Sequence, residues 1–324
     1  MIISFIQRAV MQGIPLLFGS TGEILTEKSG NLNLGTAGVM YVGGISGVIG
    51  AFLYEQNAAN FNPVLAFIIP FISSIIGSLF MGLIYSVLTV TLRANQNVTG
   101  LALTTFGVGF GNFFGGSLIK LTNSSMPSIV LSKTSLVFKT TLPFASKLGW
   151  FGEVFFSYSF LAYFSIAIAI VMSFYFNRTR SGLNLRAVGE NPATADAAGI
   201  SVTKYRYVAT IIGSGIAGLG GLGYIMDNLG GNWEYTIDAI GWLAIALVIF
   251  SLWKPNLAII GSFVFGALYK IGNYLPGIST TMKPMIKMLP FVVTILVLII
   301  TSIRNKKENQ APEGLGLSYF REER

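Results

Sequence analysis

The sequence predicts an all-α fold, a polytopic integral-membrane bundle, on three observations. Of 324 residues, 52% are hydrophobic and only 10% charged, where a soluble domain carries roughly 25% charged residues. The Lys, Arg, Asp and Glu residues leave nine long charge-free windows, at 9–22, 29–54, 56–92, 94–119, 154–177, 207–226, 239–253, 255–269 and 288–303. Most of them can hold a spanning helix, which needs ~20 apolar residues. Finally, "FLAYFSIAIAIVMSFYF" (160–176) is apolar all round, whereas a spanning β-strand alternates with period two.

About nine transmembrane helices are expected, at 3–22, 34–54, 63–92, 98–117, 155–177, 205–226, 237–253, 256–274 and 286–303. The first, "MIISFIQRAVMQGIPLLF", has Arg8 inside its apolar stretch and lacks a cleavable signal's order of basic region, apolar core and small-residue site, so it reads as a retained helix. Pro63 and Pro255 each open an apolar, glycine-containing span, a hint of two related halves. The fourth and sixth spans carry "GVGFGNFFGG" (107–116) and "GSGIAGLGGLG" (213–223), where small residues on successive turns let backbones approach. Neither stretch has the preceding strand and the Lys or Ser/Thr spacing of a phosphate loop. The gaps at 118–153, 178–206 and 304–324 are too small for a soluble domain, so residues 1–324 read as one membrane domain.

Nine spans put the termini on opposite sides. The loop 178–206 carries Arg178, Arg180, Arg186, Lys204 and Arg206, and the tail 304–324 carries Arg304, Lys306, Lys307, Arg321 and Arg324. The positive-inside rule places both in the cytoplasm and the N-terminus outside. The cytoplasmic segments then hold 13 Lys and Arg against eight outside, and the loop 227–238 holds only Asp227, Glu234 and Asp238. Lys120, Lys133, Lys139 and Lys147 in the outer loop 118–153 run against the rule, but long loops translocate despite their charge. The net charge of +8 thus reflects membrane orientation and not nucleic-acid binding. With no Cys and no His, disulfides, zinc and Cys- or His-based nucleophilic catalysis are excluded. The 13 acids are scattered, which leaves an intramembrane enzyme little to work with.

In "ENPATADAAGIS" (190–201), Asn191 suits an N-cap, Pro192 the first helical position, and Gly199 the left-handed position after the helix. A two-turn helix is marginal alone in water and has to dock, on its own spans or on a partner. The whole stretch "RTRSGLNLRAVGENPATADAAGIS" (178–201) closely resembles the cytoplasmic loop of permease subunits of bacterial ABC importers, the group handling simple sugars, nucleosides and branched-chain amino acids. "GEILTEKSGNLNLGTAGVMYVGG" (22–44) and "RANQNVTGLALTTFGVG" (93–109) are most similar to the nucleoside and simple-sugar branch.

The resemblance implies a coupling helix that enters a groove of a cytoplasmic ABC ATPase. Its docking surface would be Gly189, Glu190, Asn191, Pro192, Ala195, Ala198 and Gly199. It further implies that ATP and Mg are used by that partner chain and no cofactor is bound by this one. A second permease subunit, related or identical, and an extracytoplasmic substrate-binding protein complete the assembly in the bacterial cytoplasmic (inner) membrane. The cargo is a nucleoside as first choice, then a simple sugar.

An importer needs polar groups at membrane depth. The candidates are Asn31, Asn33 and Thr36 at the start of the second helix, and Asn95, Asn97, Thr99, Thr104, Thr105 and Asn112 around the fourth. All are neutral, which suits a sugar or nucleoside. The alternative is that the Thr residues bond back to their own helix and the Asn residues cap helix starts, Asn33 and Asn97 above all. Asn112 lies deep in a predicted span and must bond another helix, line a cavity or meet substrate. Phe106, Phe110, Phe113 and Phe114 lie close enough to stack on a base or sugar. A stand-alone secondary transporter or channel is the rival reading. It would call for paired intramembrane carboxylates, basic residues or broken helices, and only Asp238 and Lys270 come near the expected spans.

Overall fold

The computed structural model describes residues 2–58, 60–121, 129–143, 145–233, 237–275, 279, 281–304 and 309–321. Among these the regular secondary structure is all helix, with one isolated antiparallel bridge between Val130 and Asn232. The helices are α1 (Ile2–Glu27), α2 (Thr36–Asn57), α3 (Pro63–Ser86), α4 (Gln96–Leu121), α5 (Ser132–Phe138), α6 (Gly149–Phe155), α7 (Phe160–Arg178), α8 (Arg180–Glu190), α9 (Pro192–Ala197), α10 (Val202–Gly223), α11 (Ile237–Phe250), α12 (Pro255–Ile271), α13 (Lys283–Ile286) and α14 (Leu289–Arg304).

Among the described residues, six stretches of helix are long and apolar enough to cross a membrane: α1, α2, α3 with its π-helical extension to Thr91, α7, α10 with its extension to Asn228, and Lys283–Ile303. α11 and α12 are apolar but shorter. α4 has the length, 26 residues, but dilutes its apolar residues with Gly, Thr and Asn and stands outside those six.

α2 and α10 are the most enclosed, with 83% of their apolar windows buried, whereas α3 (28%) and the α13–α14 stretch (11%) lie at the periphery. Lipid gives no hydrophobic drive for helices to associate, so close packing has to supply it. The glycine stretches do this. A Cβ on Gly22 of α1 would lie 2.2 Å from the Gly213 carbonyl of α10, and one on Gly221 of α10 would lie 1.9 Å from the Met40 carbonyl of α2. α4 leans on α2 through one glycine face only: Gly107 meets Gly38, while Gly109 and Gly116 face open space.

The first helix is longer than the sequence predicts. α1 runs past residue 22 to Glu27, carrying Glu23 and Glu27 into the interior at 2–3% exposure. Arg206 in α10 and Asp227 in its π-helical extension are equally buried. Ionisable groups in spans are therefore not limited to Asp238 and Lys270. A charge-free window breaks at every ionisable residue, but a helix does not end where neighbouring donors satisfy the carboxylate. Lys270 is partly buried in the last turn of α12; the side chain of Asp238, Glu234, Lys306, Lys307 and Arg324 lie outside the described residues.

Candidate functional site

The 178–206 loop folds as α8 and α9, packed against the first turn of α10 and the tail segment 309–321. Thr179 caps α8 by accepting from Gly182 N at 3.0 Å. Asn191 caps α9 by accepting from Thr194 N at 3.0 Å, with Pro192 in the first turn and Gly199 left-handed at φ +81°. The helix has two faces. Ala195 is buried with Val188 and Val202 in a small cluster beneath Ile200, Tyr205 and Tyr319. Gly189 is buried as well, because a Cβ there would lie 2.3 Å from the Lys28 carbonyl. Glu190, Asn191, Ala193, Thr194, Ala197, Ala198 and Gly199 are exposed, and Pro192 is half-buried. Of the seven residues expected on a docking surface, Gly189 and Ala195 thus face inward, since close packing on the chain itself consumes them. Ala193 and Ala197 are outward residues that the sequence reading missed.

The tail forms a strap over this end of the molecule. Gly314 N donates to the Gly189 carbonyl at 2.9 Å, and Gly316 N to the Gly30 carbonyl at 3.1 Å. The Tyr319 hydroxyl donates to Asp196 Oδ2 at 2.8 Å, and Arg321 pairs with the same carboxylate at 3.3 Å. The buried Arg206 guanidinium donates to the Leu317 carbonyl at 3.0 Å.

The turn between α1 and α2 is tied from every side. Asn31 Nδ2 donates to Thr210 Oγ1 of α10 at 3.0 Å, and Leu32 N to the Gln96 side chain of α4 at 2.7 Å. The Tyr85 hydroxyl of α3 donates to the Leu32 carbonyl. Glu23 accepts from Asn33 N at 3.2 Å and from the Thr36 hydroxyl, while Glu27 accepts from the indole N–H of Trp253. Asn31, Asn33 and Thr36 are at most 2% exposed. The structure commits these three expected pathway residues to a buried junction.

α4 presents a different picture. Thr104 is buried and bonds the Leu34 carbonyl at 2.9 Å, and Thr105 bonds back to Leu101 in its own helix at 3.1 Å. Asn95, not Asn97, caps the helix, accepting from Val98 N at 3.1 Å. Asn97, Thr105 and Asn112 are exposed. Thr105 and Asn112 are seven residues apart and share one face. The Asn112 side chain accepts from the Tyr41 hydroxyl of α2, so it bonds another helix while remaining open to the outside of the chain. Phe106 and Phe113 are exposed beside it.

The family described as branched-chain amino acid transport system / permease component matches residues 5–298. The chain belongs to this permease family. Among its relatives, the putative glucose ABC transporter permease protein TsgC13 of Haloferax volcanii is 31% identical, over 95% of this chain and 94% of its own. The nucleoside ABC transporter permease protein NupC of Lactococcus lactis is 31% identical over 88% and 87%, and the guanosine ABC transporter permease protein NupQ of Bacillus subtilis 29% identical over 96% and 94%. No solved structure matches the chain.

As an ABC permease the chain is a multi-pass transport subunit and not an ATPase, and its buried polar junction gains a meaning. The junction joins the loop carrying α9 to the ends of α1, α2, α3, α4 and α10. The acidic pair that anchors it had a signal in the sequence: Glu23 and Glu27 are four residues apart, contiguous in helical register with the apolar run before them. The strap had none, because its bonds to Gly30 and Gly189 are made by backbone.

Proposed function

We propose that the permease is the membrane-spanning subunit of an ATP-driven importer, with nine spans, the N-terminus outside and α8, α9 and the strap in the cytoplasm of a cell bounded by its inner membrane. The observation that carries this reading is the two-faced α9: one side locked to its own chain, the other a small-residue surface of Ala193, Ala197, Ala198 and Gly199. Small residues allow close approach of a partner groove, and Glu190 at the edge supplies a polar rim. The partner is a cytoplasmic ABC ATPase that uses ATP and Mg. A second permease subunit and an external binding protein complete the transporter.

The pathway follows the outward strip of α4, Asn97, Thr105 and Asn112, with the exposed Phe106 and Phe113 available for stacking. A neutral hydrogen-bonding strip on a membrane helix is poorly suited to lipid and well suited to an uncharged polar solute. A nucleoside is the first choice, supported by the nucleoside and guanosine permeases among the relatives, with a simple sugar second. Uptake of labelled guanosine, uridine and glucose by cells expressing the complete transporter tests the choice. Nucleoside uptake that excess glucose does not compete supports it; glucose uptake alone would replace it.

The buried Glu23 and Glu27 favour the rival, an ion-coupled transporter working alone, more than the sequence did. Both carboxylates, however, accept bonds that hold helices and a turn together, which is a structural duty. Uptake that persists under a protonophore but stops without the ATPase excludes the rival.

A further inference from the structure

Where the last turns of α7, the inner side of α8 and the first turn of α12 meet the Lys28 turn, a cavity of about 610 Å³ opens. Three cations line it, Lys28, Arg186 and Lys254, against one carboxylate, Glu190. Among the described residues the single ion pair is Arg321 with Asp196, on another face of the loop. None of the three cations forms an ion pair with a described carboxylate. Lys254 Nζ donates to Asn309 Oδ1 at 2.7 Å, a neutral acceptor, and the Arg186 Nε is buried without a partner. Glu190 already accepts from Glu313 N at 3.3 Å. Burial pulls the Lys28 ammonium below the usual lysine range; Arg186 and Lys254 add to this, while Glu190 and, more weakly, Glu27 oppose it. An anion would relieve all three.

The backbone points the same way. α12 begins at Pro255 with no side chain capping it, and Pro255, Asn256 and Leu257 of its first turn line the cavity. The partial positive charge of a helix N-terminus therefore adds to that of the side chains. The rim is apolar: Leu183 and Leu257 line the cavity and are 56% and 39% exposed, and Phe174 and Ile260, in the adjoining turns of α7 and α12, are both 62% exposed. Basic pockets between spanning helices at this depth suit anionic headgroups.

We propose that this cavity holds a phosphate group carried by an anionic phospholipid, with the headgroup among Lys28, Arg186 and Lys254 and the acyl chains leaving past Leu183 and Leu257. The site is independent of the importer reading and of the cargo.

The full-length permease in nanodiscs of phosphatidylcholine, with or without phosphatidylglycerol, tests it by thermal unfolding and by mass spectrometry of retained lipid. Phosphatidylglycerol is expected to raise the unfolding midpoint and to stay bound through detergent exchange. Lys254→Gln is expected to cut retention about fivefold, the worth of one basic residue at a membrane surface. Asn256→Asp keeps or improves the start of α12 while placing negative charge at the mouth, so it reports on the site without threatening the fold. Lys204→Gln, at the same end but outside the cavity, should leave retention unchanged. Equal behaviour in the two lipids, or equal loss with Lys204→Gln and Lys254→Gln, would overturn the site. If inorganic phosphate added to phosphatidylcholine discs stabilises the protein as well as phosphatidylglycerol does, and Lys254→Gln weakens both alike, the phosphate site stands and its lipid source falls.

Discussion

Glu23 is one carboxylate set against three donors: Asn33 through its backbone and side chain, and the Thr36 hydroxyl. Glu23→Ala orphans the two Asn33 donors in a buried junction, each at a cost of about 1–3 kcal/mol, while the Thr36 hydroxyl keeps the Asn33 carbonyl at 3.2 Å. Glu23→Gln keeps one acceptor and should cost less. The expected order of folded permease in the membrane is wild type, Gln, then Ala, read by gel filtration of the fluorescently tagged protein. Asn112 presents the opposite case, an exposed amide whose visible duty is one bond to Tyr41. If it lines the pathway, Asn112→Leu lowers uptake several-fold with assembly intact, while Tyr41→Phe, which removes that bond and keeps the ring, has a small effect. Equal losses from both would reduce Asn112 to a tie between α4 and α2. Asn112 was legible in the sequence because a lone amide inside a span has few bland explanations. The duties of Asn31 and Thr36 were not, because Thr210 and Glu23 meet them only once the turn has closed; Asn33, whose side chain accepts from Gly35 N at 2.9 Å, makes a local bond of the capping kind that the sequence allowed.

At the scale of elements, α9 was readable because Asn191, Pro192 and Gly199 act locally, each through its own backbone. Which side of so short a helix faces home was not, since Val188, Val202 and Tyr319 that bury Ala195 come from other parts of the chain. That side decides the mutational test. Ala193→Arg, on the exposed face, should leave the level of permease unchanged and abolish recovery of the ATPase with it. Ala195→Arg buries an unpaired charge in the cluster and should lose the permease itself, by about 3–5 kcal/mol. Recovery of the ATPase with the Ala193 variant at wild-type yield would refute the coupling face. Asn191→Ala removes the cap at a cost of about 1 kcal/mol and should weaken coupling without abolishing it. The end of α1 was misplaced for the reciprocal reason: Trp253, which takes up Glu27, is 226 residues away.

For the whole molecule, composition and windowing carried the class and the positions of the long helices, since a membrane constrains both strongly. The packing of those helices rests on small residues whose partners the sequence does not name. Gly221→Val would drive side-chain atoms into the Met40 carbonyl and separate α10 from α2, so the permease should fail to accumulate. Gly109→Ala, with nothing within 4 Å of the added methyl, should accumulate at wild-type level. A reversal of that order would show that the two helices meet elsewhere. The strap follows every span in chain order, yet it supplies the backbone bonds to Gly30 and Gly189 and the ceiling over Ala195. On a translating ribosome, therefore, α8 and α9 emerge and wait unfinished while the last helices are inserted. If α9 is the face that docks an ATPase, that face is completed only when residues 309–321 clear the exit tunnel, and a half-made subunit would have none to offer.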